Sequence, residues 1–321
     1  MKKVFLLLYL LLVIKFCAVS PMPEKETTKQ ETPAVEEVLS IPIKASPAPE
    51  KLKLLADGEI VELSMQDYLN GVVSAEMPAS FPIEALKAQS VAARSYAIYC
   101  MSASKHGQAD LCSSSACCQA WQSEEKQREK WGGDYELYAE KIKSAVDATN
   151  GEYLCYEGQA VLAAFHSSSA GFTENSSALW AELPYLKSVE SPENSETVPN
   201  YVSTLSCSPI DFRDTLLRVK HYADFTGDEN TWIGPIQRNE SGRVEKVQLG
   251  GVEFIGAEIR QLFSLRSTAF ELEYSEGLFC FTVTGYGHGI GMSQYGAKHM
   301  AQEGADYRSI LAHYYPDTYL S

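Results

Sequence analysis

The chain has 321 residues, with 42 Asp and Glu against 27 Lys and Arg and a formal charge of −15. Beyond Lys2 and Lys3 no basic cluster occurs, which argues against nucleic acid as a partner. Sugars are held by hydrogen bonds and aromatic stacking rather than by net charge, and the 18 Tyr and 4 Trp suit such contacts.

At the N-terminus Lys2 and Lys3 precede an apolar run over 4–14, interrupted by Lys15 before Phe16 and Cys17. The run is shorter than the roughly 20 apolar residues of a spanning helix, which favours a cleavable export signal. Lys15 can snorkel, however, and let residues 1–20 act as a membrane anchor. Cys17 lacks the small preceding residues of a lipid-modified cysteine. Residues 21–52, rich in Pro, Glu, Lys and Thr, cannot bury enough apolar surface to offset their ordering entropy and read as a flexible linker. Residues 53–321 are enough for one large domain or two closely packed ones.

Helices are predicted over 65–76, 82–102, 135–149, 210–219, 256–263 and 306–313, and strands over 60–63, 152–155, 160–166, 244–249 and 278–285. The two kinds do not alternate regularly, so a parallel βαβ sheet is a poor description. The expected class is α+β, with mainly antiparallel strands.

The densest information lies in residues 70–99. Ser64 caps the first helix, with Asp67 reaching back, and Pro78 ends it. Glu76 thus stands at a helix C-terminus beside Val72, Val73 and Met77. The negative end of the peptide dipoles and burial both favour its protonated form, which suits a general acid. The next helix is Ala-rich and apolar on nearly every side, so Arg94 within it needs a buried partner. A structural ion pair and a supporting role at the site are both open for it. His166, Ser168 and Thr173 sit in a hydroxyl-rich loop that can touch a sugar or bond its own backbone. Five glycines at 285, 287, 289, 291 and 296 surround His288 and Gln294 and read as a wall or as tight turns. No βαβ unit accompanies them, so they are not a dinucleotide loop.

His106, Cys112, Cys117 and Cys118 fall in a short Ser-rich stretch just after the Arg94 helix. An imidazole and thiolates at such spacing can close a tetrahedral zinc site, whereas disulfides are the alternative in an exported chain. No His-Glu-x-x-His motif is present, which disfavours a zinc hydrolase.

GVVSAEMP at 71–78 followed by FPIEALKAQSVAARSY at 81–96 resembles the SpoIID/LytB family of cell-wall lytic transglycosylases. The resemblance continues through AFHSSSAGFTENS (164–176), LPYLKSVESP (183–192), LRSTAF (265–270) and GYGHGIGMSQYGA (285–297). It departs at Ala170-Gly171, where family members often carry Gly-Gly. The resemblance implies that Glu76 is the acid and base of peptidoglycan cleavage during endospore formation, with Arg94 in support. It implies Tyr185 and Lys187 as substrate contacts, a zinc ion on the His/Cys loop, and a retained N-terminal membrane anchor with the domain outside the cytoplasmic membrane. The implied substrate is glycan freed of its stem peptides, and the implied partners are a cell-wall amidase and a membrane protein of the engulfment machinery.

Overall fold

The structure is a computed structural model that describes residues 47–321 apart from 103 and 104. The predicted signal or anchor at 1–20 and most of the linker lie outside the described residues. Among the described residues no helix is long and apolar enough to cross a membrane.

The predicted α+β class is found. A hairpin of β1 (Lys51–Ala56) and β2 (Glu59–Ser64) leads into α1 (Met65–Glu76) and α2 (Ile83–Ser102). Strand β1 begins two residues inside the segment read as linker, because alternate residues Leu52 and Leu54 bury against the core. Ser64 Oγ accepts the Asp67 N–H, and α1 stops at Glu76, one residue ahead of Met77-Pro78. Strand β3 (Leu111–Cys112) pairs in parallel with β1. Then come α3 (Glu124–Trp131) and α4 (Tyr135–Ala148).

Helix α2 is the centre of the first core. Its alanines 85, 88, 92, 93 and 97 are fully buried, and the lack of side-chain bulk lets α1 and α4 pack against it. Strands β4 (Leu154–Tyr156) and β5 (Gln159–Ala160) follow. The strand predicted over 160–166 is broken. Residues 161–164 bond Ala163 N–H to Val161 O and Ala164 N–H to Leu162 O, spending their amides locally, and pairing resumes only at β6 (Phe165–His166).

Residues 202–284 build a second core. Strands β7 (Val202–Cys207), β8 (Ile233–Arg238), β9 (Val244–Leu249), β10 (Val252–Ile255), β11 (Phe270–Ser275) and β12 (Leu278–Thr284) form two antiparallel sheets, ordered β10-β9-β8 and β11-β12-β7, with α5 (Pro209–Leu217) and α6 (Gly256–Leu262) against them. Its centre is aromatic: Phe212 stacks on Phe279 at 3.9 Å between ring centres, and Trp232 lies on the same ring at 5.6 Å. The chain then returns to the first core through β13 (Met292–Ser293), parallel to β6, followed by α7 (Gln294–Gln302), α8 (Tyr307–Tyr314) and β14 (Tyr319–Leu320). Helices α7 and α8 complete the shell around α2.

Candidate active site

Glu76 is the last residue of α1 and is partly buried at the edge of the first core. Its Oε1 accepts the Ala120 N–H at 2.7 Å, while Oε2 has no protein partner among the described residues. Burial pushes its pKa above the ordinary carboxylate value, against the opposing pull of the Ala120 N–H.

The carboxyl group opens into a cleft of about 840 Å³. One wall is Glu76, Tyr96 of α2 and the loop 115–120; the other is His166, Gln294 and the glycine-rich turn around His288. Trp180 and Arg260 also line it, and Glu76 is its sole carboxylate among the described residues.

The far wall depends on backbone that only glycine supplies. Gly287 has φ +119° and a Cβ there would sit 2.7 Å from the His166 Cβ; at Gly289, φ +87°, it would sit 2.6 Å from the Arg243 guanidinium. These approaches bring His166 and His288 to 5.7 Å between ring centres, and Trp180 lies 5.4 Å from His288. His166 is fixed at both nitrogens, by Ile290 O at 3.3 Å and Ser169 Oγ at 2.7 Å. Burial, then the neighbouring His288, holds its pKa well below the ordinary histidine value. Burial and then Arg260 and Arg243 bring His288 down to about 4. Both imidazoles are therefore neutral at physiological pH and do not serve as cationic acids, and His166, engaged at both nitrogens, shapes the wall rather than offering a free donor or acceptor.

The four predicted metal donors converge. The ligand atoms of His106, Cys112, Cys117 and Cys118 all lie within 4.8 Å of one another. His106 Nε2 is 3.2 Å from Cys118 Sγ and 3.7 Å from Cys117 Sγ, close to the edges of about 3.5–3.8 Å in a tetrahedron around zinc. The soft three-sulfur, one-nitrogen set fits zinc. The adjacency of Cys117 and Cys118 is no obstacle, since the Ser114 carbonyl accepts both their amides and turns both thiols inward. None of the seven described cysteines forms a disulfide. Two residues after Cys118 comes the Ala120 amide that holds Glu76, so the metal loop and the carboxyl group share one short backbone segment.

Comparison with known proteins bears on the whole chain. Residues 57–156 match the family model SpoIID, stage II sporulation protein. The chain is 35% identical over 308 residues to stage II sporulation protein D of Bacillus amyloliquefaciens, covering 94% of this chain and 86% of that protein. It is 36% identical over 284 residues to the protein of that name from Bacillus subtilis (strain 168), covering 87% of this chain and 80% of the relative. The chain belongs to the SpoIID family. A protein of Bacillus subtilis (strain 168) described as an amidase enhancer is also similar, at 29% identity over 304 residues, 79% of this chain and 40% of that relative.

The SpoIID family segment 57–156 holds Glu76, Arg94 and all four metal donors, while His166, Arg260 and His288 come from the part that follows. Arg94 lies elsewhere than the cleft. It is fully buried and donates from one terminal nitrogen to Thr149 O and Glu152 O, both at 2.8 Å, where α4 ends. There its charge faces the negative end of a helix. Tyr185 is a core residue whose hydroxyl accepts the Leu162 N–H. Lys187 is on the surface, paired with Asp317 at 2.9 Å. Ser168 and Thr173 are buried beneath the far wall, the first pairing its backbone with Tyr286 and the second bonding the backbone of Lys187 and Val189. Sequence reasoning did not single out Tyr96, Gln119, Trp180, Arg260 or Tyr286, all in the cleft. Neither Trp180, flanked by Leu179 and Ala181, nor Arg260 carried a local signal.

Proposed function

We infer that the chain is a peptidoglycan lytic transglycosylase that cleaves the bond between N-acetylmuramic acid and N-acetylglucosamine in glycan strands freed of stem peptides. The observation that carries this is the lone carboxyl group of Glu76, desolvated and facing a cleft that offers no second carboxylate among the described residues. Hydrolases divide the work between two such groups. A transglycosylase needs one, because the substrate's own C6 hydroxyl replaces water.

In the first step the Glu76 O–H protonates the glycosidic oxygen, the C1–O bond breaks, and N-acetylglucosamine leaves with its 4-hydroxyl restored. The Glu76 carboxylate then removes the C6 hydroxyl proton as O6 bonds to C1, giving the 1,6-anhydro sugar and restoring the acid. The Ala120 N–H fixes Oε1 and leaves Oε2 for the proton. Gln294 and neutral His288 are suited to bonding sugar hydroxyls and acetamides without competing as acids, while His166, engaged at both nitrogens, holds the wall behind them. A zinc ion would be held by His106, Cys112, Cys117 and Cys118, and its contribution would be to fix the loop that presents Ala120. The chemistry itself needs no cofactor.

The setting follows the family: a membrane anchor at 1–20, a linker, and the domain outside the membrane, acting with an amidase and a membrane protein during engulfment. The similarity to an amidase enhancer supports a second reading, a wall binder that stimulates an amidase without turnover. Peptide-free strands incubated with the full chain and with Glu76→Gln decide between them. Cleavage is expected to fall by about 10²–10⁴-fold in the variant, as for loss of a general acid, with strand binding kept. A wild type that binds strands and stimulates amidase yet never cuts them supports the second reading.

A further inference from the structure

Next to the Glu76 cleft lies a second cavity of about 530 Å³, lined by Arg260, Gln261, Ser264, Arg266, Tyr286 and His288 among others. Arg260, Tyr286 and His288 belong to both cavities, so the two adjoin along a shared wall. Its chemistry is unlike the rest of the surface. The chain carries 42 acidic residues against 27 basic ones, yet the second cavity is lined by two arginines and no carboxylate.

Neither guanidinium has an acidic partner among the described residues. Arg260 bonds Leu265 O through Nε at 3.3 Å, which leaves its terminal nitrogens for another acceptor. Arg266 lies with its guanidinium 4.4 Å from the centre of the Tyr286 ring, and its Nε is buried without a hydrogen-bond partner. The stacked ring holds that fork flat and limits the rotamer entropy lost on binding. Two oriented, unpaired guanidiniums on one wall of a groove are a recognition element for a planar oxyanion.

We propose that Arg260 and Arg266 bind the lactyl carboxylate of an N-acetylmuramic acid residue, and thereby select strands whose stem peptides have been removed. This rests on the glycan reading given above. An amidase leaves that carboxylate free and anionic; with the stem peptide attached the same carbon is a neutral amide, which offers the arginine fork one carbonyl oxygen and no charge. The groove then reads the product of amidase action directly, and the two reactions follow in order because the second enzyme recognises what the first exposes.

The test uses the full chain and two strand preparations, peptide-free glycan and the same glycan with its lactyl carboxylates converted to methylamides, with binding and cleavage measured for each. The wild type is expected to bind the free-acid strands about tenfold or more tightly over the methylamides, the size of a lost charge-assisted hydrogen bond. In Arg266→Gln, and further in Arg260→Gln/Arg266→Gln, the two affinities converge, and Arg266→Lys restores part of the difference. Arg266→Gln is the first variant because its guanidinium makes no backbone bond that folding needs. Equal affinity of the wild type for both strands, or a preference unchanged in the double variant, overturns the proposal while leaving the glycan reading intact. Binding to neither strand overturns both.

Discussion

The two walls of the cleft are held by different means. The Glu76 wall is a helix end: α1 and α2 bury small and branched side chains against each other, and local signals, a Ser64 cap and a Pro78 stop, set where the carboxyl group stands. The His288 wall is irregular backbone that crosses between two cores. Gly289 admits the buried guanidinium of Arg243, which lies 4.0 Å from Glu174. Glu174 in turn accepts Ser241 Oγ at 2.9 Å and Asn239 Nδ2 at 2.6 Å. On the proposed function, the acid sits on the locally determined wall, and recognition falls to the wall that depends on distant parts of the chain. An acid must stay within hydrogen-bonding reach of one oxygen, whereas a binding wall tolerates adjustment to its ligand.

The largest effect is expected on the second core, whose stability should be separable from that of the first. Phe279→Ala removes the ring on which Phe212 and Trp232 stack and is expected to cost about 3–5 kcal/mol. Hydrogen exchange should then show amides of β7–β12 losing protection while those of α1 and α2 keep theirs. Equal loss in both regions would make the molecule one cooperative unit.

A smaller effect is expected at the metal loop. Chelation or Cys112→Ser should lower Tm and, by freeing the segment that presents Ala120, reduce cleavage by about ten- to a hundredfold, the range of a lost hydrogen bond to a charged group. Unchanged cleavage with a lowered Tm would uncouple the loop from Glu76.

The smallest effect is in acid. His288 is held down to about 4 from an ordinary 6.5, and His166 is depressed with it. Both are neutral in the fold and take up protons in the unfolded chain below 6.5, so stability falls as pH drops below that value, and the His288 contribution is lost as pH falls through about 4. His288→Gln should flatten Tm against pH over this window. Glu76 has the opposite sign: its pKa is raised, so cleavage should decline as pH rises through its titration.

Legibility in the sequence follows the same division. Helix α1, its cap, its stop and the position of Glu76 were all readable, because each depends on residues within a few positions. The donor set was readable from spacing, and its convergence rests on β3 pairing with β1. Helices α3 and α7 are not among the predicted helices; α3 is polar nearly throughout, and α7 opens inside the glycine-rich stretch, which reads as a wall or as tight turns. Arg94 was legible as a buried cation in need of partners, but not which ones, since Thr149 and Glu152 lie 55 and 58 residues away. Arg260 was invisible for the same reason: a charged residue on a short helix is ordinary until the fold sets it beside His288.

On the proposed mechanism one carboxyl group serves as acid and base, and water takes no part in bond cleavage. The most direct measurement is mass spectrometry of peptide-free strands digested by the full chain in heavy-oxygen water. The expected strand ends are 1,6-anhydro-N-acetylmuramic acid, one water lighter than hydrolysed ends and free of the label. Reducing ends carrying the heavy oxygen would show a hydrolase and contradict that mechanism.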